Sequence, residues 1–314
     1  MSGGPAVLAV DLGGTTMKGA VVAADGTVVH LASAATPAGG GAVADAVGEL
    51  LLALRGSAVA LGLEPVAAGV VTPGIVDDIA GAIEFAANLG WRDVPLARML
   101  GGRIDMPVAV GHDVRAAALA ERLLGGAAGV DDFVHVAIGT GVAAGLYDAG
   151  SVVLGATRSP GELGHIPVIP DGELCTCGQR GCLEVYMSGA GLARRYLART
   201  GTARSAEEIV GRLGADPDAD AVWADAVRAL ALGLATTTLM LDPELIVLGG
   251  GVSRAGAALT EPVRALTAEL LAWRDAPRIE LSTLGSDAGR IGASVLAFRA
   301  AGLGDVVTGW TRPA

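Results

Sequence analysis

All three cysteines of the chain lie within eight residues, as Cys175, Cys177 and Cys182, and His165 stands upstream of them in the spacing H-x9-C-x-C-x4-C. Thiolate and imidazole are the ligand types of a closed tetrahedral zinc site, and three Cys with one His is among its usual sets. Gly178 and Gly181 fall between the last two cysteines, where a loop folding back on a metal needs a permissive backbone. The alternative is one disulfide and a spare thiol, which would need an oxidising compartment. Nothing at the N-terminus suggests export, so zinc is the preferred reading and a cytoplasmic protein the expectation. Two acids flank the set: Glu162, three positions before His165, and Glu184, two after Cys182. A metal that fixes the loop also fixes these carboxylates, and rigidly held carboxylates suit a polyhydroxylated ligand. Taken singly, Glu184 reads equally as a first-turn helix acid and Glu162 as a solvated loop charge.

A second kind of chemistry is written in glycine. Leu12-Gly13-Gly14-Thr15-Thr16 is a tight turn between two apolar strands, and Gly139-Thr140-Gly141 is another of the same kind. Such turns present bare N–H groups and hydroxyls to phosphate oxygens. Gly249-Gly250-Gly251 follows a third apolar strand and precedes a helix, where backbone can approach a nucleotide closely. Asp113 follows a strand and opens a helix, and taken alone it reads as an N-cap.

The elements that must position these residues can be drawn from pattern. Ala6–Asp11, Met17–Ala24 and Thr27–Ala35 are strands, the last two joined by the hairpin signal Asp25-Gly26. A helix spans 42–63, and Val66–Val71 is a strand ending at Thr72-Pro73-Gly74. Residues 86–92 read as loop and 95–100 as a short helix. Pro107–Gly111 is a strand and Val114–Leu124 a helix. In the second half Phe133–Ile138, Val142–Tyr147 and Ser151–Leu154 repeat the three-strand arrangement, so the chain carries a weak internal repeat. Helices follow near 183–200, 205–213 and 218–241. Glu244–Leu248 and Arg278–Leu281 are strands, with helices over 257–273 and 289–301.

Composition narrows the function classes. With 314 residues the chain has room for two domains. Lys18 is the sole lysine and the net charge is −11, which argues against general nucleic-acid binding. The apolar runs stop short of the ~20 residues a membrane span needs, so no membrane association is expected.

Taken together, DLGGT at 11–15, TPGIVD at 72–77, NLGW at 88–91, His112-Asp113, GTG at 139–141, the block 162–189 and the glycines at 249–251 resemble the ROK family of bacterial sugar kinases. The resemblance covers nearly the whole chain. It implies an α/β fold of the actin-like ATPase (ribonuclease H-like) type, two lobes with an inserted structural zinc loop at 161–189. The smaller lobe would hold residues 1–115 and 290–314, the larger one 116–289. It further implies transfer of the γ-phosphoryl group of ATP to the 6-hydroxyl of glucose or N-acetylglucosamine, with Asp113 as general base. An ordinary carboxylate pKa of ~4 would suffice, because proton loss is late when the transition state is loose.

Gly13, Gly14, Thr15, Thr16, Lys18, Thr140 and Gly141 would serve the phosphates, Asp11 the Mg²⁺, and Gly249, Gly250 and Gly251 the adenosine. Gly74, Asn88, His112, Asp113, Glu162, His165 and Glu184 would hold the sugar, and His165, Cys175, Cys177 and Cys182 the zinc. A homodimer or homotetramer is the family habit. Two departures stand out: His112 replaces the family's Asn, and Lys18 lies two positions beyond the usual lysine. ROK regulators carry DNA-binding helices before the first hairpin, whereas here five residues precede the first strand, so a sugar-sensing regulator or a non-catalytic sugar-binding protein is the lesser expectation.

Overall fold

An unbroken aliphatic run with one acid near its end makes the central strand of the first sheet, β1 (Pro5–Leu12). Such a run belongs where both faces of a sheet are covered. The structure, a computed structural model, describes residues 3–311. The chain continues through β2 (Thr16–Ala23), β3 (Val28–Ala35), α1 (Gly40–Ala60), β4 (Glu64–Thr72), β5 (Ile75–Asp77), β6 (Ala82–Ala86), β7 (Trp91–Val94), α2 (Leu96–Ile104), β8 (Val108–His112) and α3 (Asp113–Leu124). The first sheet has the order β3-β2-β1-β4-β8. Strands β1, β4 and β8 run parallel, so their carboxyl ends share one edge. Residues 75–94, in part expected as loop, instead form a small antiparallel sheet, β5-β6-β7.

The second sheet repeats the first. After α3 come β9 (Phe133–Ile138), β10 (Val142–Asp148), β11 (Ser151–Val152), α4 (Leu183–Met187), α5 (Gly189–Thr200), α6 (Ala206–Val210), α7 (Pro217–Leu241), β12 (Leu245–Gly249), α8 (Ala257–Leu270), β13 (Arg278–Leu281) and finally α9 (Ala288–Ala300). The order is β11-β10-β9-β12-β13, with β9, β12 and β13 parallel. Three antiparallel strands followed by two parallel ones thus occur in both halves, as the weak internal repeat suggested. The helix expected over 183–200 is broken at Ser188, whose hydroxyl accepts from Gly191 N–H and caps α5.

Contacts divide the chain into two compact units. The first holds residues 1–125, 155–159 and 287–314, the second 126–154 and 160–286. The first unit continues past 115 to 125, where α3 packs along α9. The units are nearly equal in length, not a smaller and a larger one.

In the first unit the period-two alternation of β1 sorts its side chains. Ala6, Leu8, Val10 and Leu12 join a core with α1 and α2. Val7 and Ala9 point the other way and pack with residues of α9. In the second unit Val134, Val136 and Ile138 of β9 face the core shared by α4, α7 and α8. Helix α7 is long and apolar enough to cross a membrane by length and composition, with mean hydropathy 1.3 over its most apolar window. Yet 56% of that window is buried inside the protein, and Asp216 caps its start.

Helix α9 lies so close to its neighbours that a β-carbon on Gly292 would sit 2.2 Å from the carbonyl oxygen of Ala116. Replacing Gly292 with leucine must push α9 from α3, at a cost of about 1–3 kcal/mol for overpacking. Thermal unfolding should therefore begin at lower temperature in Gly292→Leu, and an unchanged midpoint would contradict this packing.

Candidate functional site

The carboxyl edge of the first sheet gathers most of the candidate residues of that unit. Asp11 stands one residue before the end of β1, directly opposite Lys18 of β2. The turn beyond it is closed by Gly13 N–H donating to Thr16 O (3.1 Å), while Thr36 Oγ1 donates to Gly13 O (2.7 Å). Asn88 approaches this turn, since a β-carbon on Gly14 would lie 3.7 Å from its Nδ2. Gly74, just past β4, has φ 112°, and a side chain there would strike Phe85 O. Its glycine is therefore required by both backbone and space.

His112 and Asp113 complete the edge. The cap of α3 is His112, not Asp113: its Nδ1 accepts from Arg115 N–H at 3.4 Å. Asp113 is the first helical residue, and its Oδ1 accepts from Val114 N–H at 2.7 Å. Burial raises the Asp113 carboxyl to about 6, against the lowering effect of that amide and of Arg115. Asp11 is also pushed up to about 6, first by burial and then by the charge of Asp113, with Lys18 and Arg290 opposing. Two half-buried acids near one another disfavour double ionisation.

Two arginines escaped the sequence reading. Arg115, buried in the first turn of α3, donates to Asp78 Oδ1 (3.1 Å) and to the carbonyls of Val76 (2.9 Å) and Arg158 (3.1 Å). It locks the start of α3, and with it Asp113, to the small sheet. Arg290, equally buried, pairs with Asp287 Oδ1 at 3.1 Å. Gly289 brings α9 against Asp11, since a β-carbon there would lie 2.9 Å from Asp11 Oδ2. A lone arginine in a helical pattern gives no hint of such a partner.

The second unit brings together the remaining candidates. Gly249 pairs with Ala137 at the end of β9, which sets Gly249–Gly251 beside the Gly139-Thr140-Gly141 turn on one sheet edge. Residues 161–189 run along the outer edge of β10, where Ala144 N–H donates to Gly161 O (2.7 Å) and Val142 N–H to Glu184 Oε2 (2.9 Å). His165, Cys175, Cys177 and Cys182 converge, their ligand atoms all within 4.8 Å of one another. Cys177 and Cys182 sulfurs are 3.7 Å apart, too far for a disulfide, and Cys175 Sγ is 3.9 Å from His165 Nδ1. Ligands about 2.3 Å from a tetrahedral zinc stand ~3.8 Å apart, so the set fits a metal of that size.

The electrostatics of the cluster also ask for a cation. Burial and the neighbouring thiols push Cys182 up to about 12, while the Gln179 N–H lowers Cys177 to about 7. His165 turns its other nitrogen, Nε2, toward Glu162 Oε2 at 3.9 Å. A carboxylate behind a ligating imidazole fixes its tautomer. From outside, Glu173 on the loop receives Arg194 and Arg195 (2.5 and 2.8 Å), and Tyr186 Oη accepts from Glu173 N–H.

The candidate sugar residues thus fall in two sets, Gly74, Asn88, His112 and Asp113 on the first unit and Glu162, His165 and Glu184 on the second. Asp113 yields a stability prediction. A carboxyl whose folded pKa exceeds its unfolded value of 3.8 leaves the fold unpenalised below that pH. It then costs stability progressively up to about pH 6 and by a constant amount above. Asp113→Asn should therefore unfold at higher denaturant than the wild type at about pH 7.5, with the difference vanishing near pH 4. A wild type more stable than the variant at neutral pH would reverse the sign.

Comparison with known proteins identifies the family. The ROK family model matches residues 7–300. A glucokinase of Streptomyces coelicolor is 32% identical over 311 residues, covering 92% of this chain and 96% of the relative. Among solved structures, a ROK family glucokinase from Streptomyces griseus in complex with glucose and AMPPNP is 30% identical with TM-score 0.83, covering 94% of this chain and 99% of that one. A ROK family transcriptional regulator, a homologue of the Escherichia coli Mlc protein, is 25% identical with TM-score 0.86, covering 98% of this chain and 81% of that one. With its actin-like ATPase fold, its Cys3His cluster and a family match over nearly its whole length, the chain belongs to the ROK family.

Proposed function

We propose that the protein is an ATP-dependent hexose kinase that transfers the γ-phosphoryl group to the 6-hydroxyl of glucose or N-acetylglucosamine. The observation that carries this reading is Asp113. It is held at the start of α3 by Val114 N–H on Oδ1, which leaves Oδ2 to take a proton. Similarity to glucokinases of two Streptomyces species supports the reaction class.

In this account Gly13, Gly14, Thr15 and Thr16 bind phosphate oxygens of MgATP from the first unit, with Lys18 adding charge. Thr140 and Gly141 do so from the second, and Gly249–Gly251 receive the adenosine. Asp11 holds the Mg²⁺ that arrives with ATP. Gly74 backbone, Asn88, His112, Glu162, His165 and Glu184 orient the sugar. The transition state of phosphoryl transfer is loose, so the protein's task is positioning and charge neutralisation. As the bond between the γ-phosphorus and ADP breaks and the bond to the sugar oxygen forms, the hydroxyl proton passes to Asp113 and ADP leaves. A zinc ion held by His165, Cys175, Cys177 and Cys182 would supply rigidity rather than chemistry.

His112 is the point where this chain departs from its family. Its Nδ1 lies 3.4 Å from both Arg115 N–H and Asp113 Oδ1 at the start of α3. An imidazole can donate or accept where an amide would do both, but its reach differs, so the change bears on sugar specificity. His112→Asn should shift the ratio of kcat/KM between glucose and N-acetylglucosamine while changing kcat with the better sugar less than ten-fold or so.

A coupled assay of ADP release over a panel of hexoses, with ATP and with polyphosphate as donors, tests the reaction itself. Turnover is expected with glucose or N-acetylglucosamine, and Asp113→Asn should keep sugar binding while losing about 10²-fold or more in kcat. Rates in the wild type should fall below about pH 6, where the base is protonated. The acid limb belongs to Asp11 and Asp113 jointly, because the two interact. Sugar binding without ADP release would favour the regulator-like or purely binding alternative.

A further inference from the structure

We infer that Glu184 is a positioning residue that fastens the metal loop to the phosphate turn of the second unit, so that metal occupancy governs nucleotide binding as well as sugar binding. The nucleotide part rests on the kinase reading; the structural coupling does not.

The geometry begins at Cys182, whose sulfur belongs to the Cys3His cluster and which caps the N-terminus of α4. Leu183 N–H donates to Ile166 O at 3.0 Å, beside His165, and Val185 N–H to Cys182 O at 3.1 Å. Both sides of the cluster are therefore tied into the first turn of α4. From that turn Glu184 reaches β10, where its Oε2 accepts from Val142 N–H at 2.9 Å. Val142 is the residue directly after Gly139-Thr140-Gly141. The carboxylate packs so tightly on the turn that a β-carbon at Gly141 would lie 2.5 Å from Oε2. Farther along, Gly189 N–H donates to Gly139 O at 2.8 Å, which grips the other side of the same turn. A carboxylate placed beside a phosphate-binding turn works against the charge of the ligand. Its retention on a backbone amide is explained by the hydrogen bond, which a carboxylate makes more strongly than a neutral acceptor.

Gln and Ala at position 184 separate the roles. Glu184→Gln keeps an acceptor for Val142 N–H and removes the charge, whereas Glu184→Ala removes both. Gly141→Ala displaces the carboxylate without altering Glu184, and position 141 is not among the glycines with positive φ. Amide hydrogen exchange of Val142 in the full chain is the direct readout. It should be slow in the zinc-loaded wild type and in Glu184→Gln, and about ten-fold or more faster in Glu184→Ala, in Gly141→Ala and in the zinc-stripped wild type. AMPPNP affinity, measured by calorimetry without sugar, should follow the same order, with Glu184→Gln at least equal to wild type.

If Glu184 serves the sugar alone, Val142 exchange and AMPPNP affinity stay unchanged in Glu184→Ala and in the zinc-stripped wild type while Gln and Ala both raise the sugar KM. That pattern overturns the inference. Should the zinc-loaded wild type fail to bind AMPPNP, the kinase reading falls, and the exchange data still decide the coupling.

Discussion

Three thiols and an imidazole, two of the thiols buried, converge within 4.8 Å of one another, and the thiols can ionise together there only with a cation to offset their charge. That constraint shapes the whole block from Gly161 to Gly189. The block has little regular structure: a short hairpin with Cys175 N–H donating to Gln179 O, two isolated bridges, and helix α4. Its two ends are anchored in the core of the second unit by Leu163 on one side and Leu183, Tyr186 and Met187 on the other, whereas Leu174 at its tip is exposed. Between those anchors the Cys3His cluster lies inside and the Glu173–Arg194–Arg195 contacts outside. The strands of the second sheet then receive it along an edge that would otherwise be left unpaired.

The first unit solves the same problem of placement by topology alone. Parallel strands β1, β4 and β8 deliver Asp11, Gly74 and Asp113 to one edge, the position where open α/β sheets bind their ligands. Helices α3 and α9 are pressed together over that sheet by small residues, and each carries an arginine that acts near an acid: Arg115 beside Asp113, Arg290 beside Asp11. The duplicated strand order shows that one scaffold serves both units.

What could be read from residue order was what depends on near neighbours. The strands, the Asp25-Gly26 hairpin, both glycine turns and the grouping of His165 with Cys175, Cys177 and Cys182 rest on local composition and spacing, and the structure has each of them at or within a few residues of the expected place. The small sheet over 75–94 was not legible, since strands of three to five residues show no useful periodicity. Ser188 did carry a signal, a hydroxyl residue before Gly-x-Gly, yet the flanking helical pattern masked the break. The contacts of Arg115 and Glu184 were beyond reach. Their partners lie 37 to 43 residues away, and only the folded sheets bring them together. The raised pKa of Asp113 has the same origin, because burial is a property of the fold and not of the Asp itself.

The central claim is that a metal-held loop organises the second unit's share of a sugar-kinase site. Calorimetric titration of glucose and N-acetylglucosamine into the zinc-loaded chain, then into the same chain stripped of metal and shown by circular dichroism to remain folded, tests it most directly. The account predicts that affinity for the preferred sugar collapses on stripping and returns when zinc is restored. Undiminished affinity in the folded, metal-free protein would contradict it.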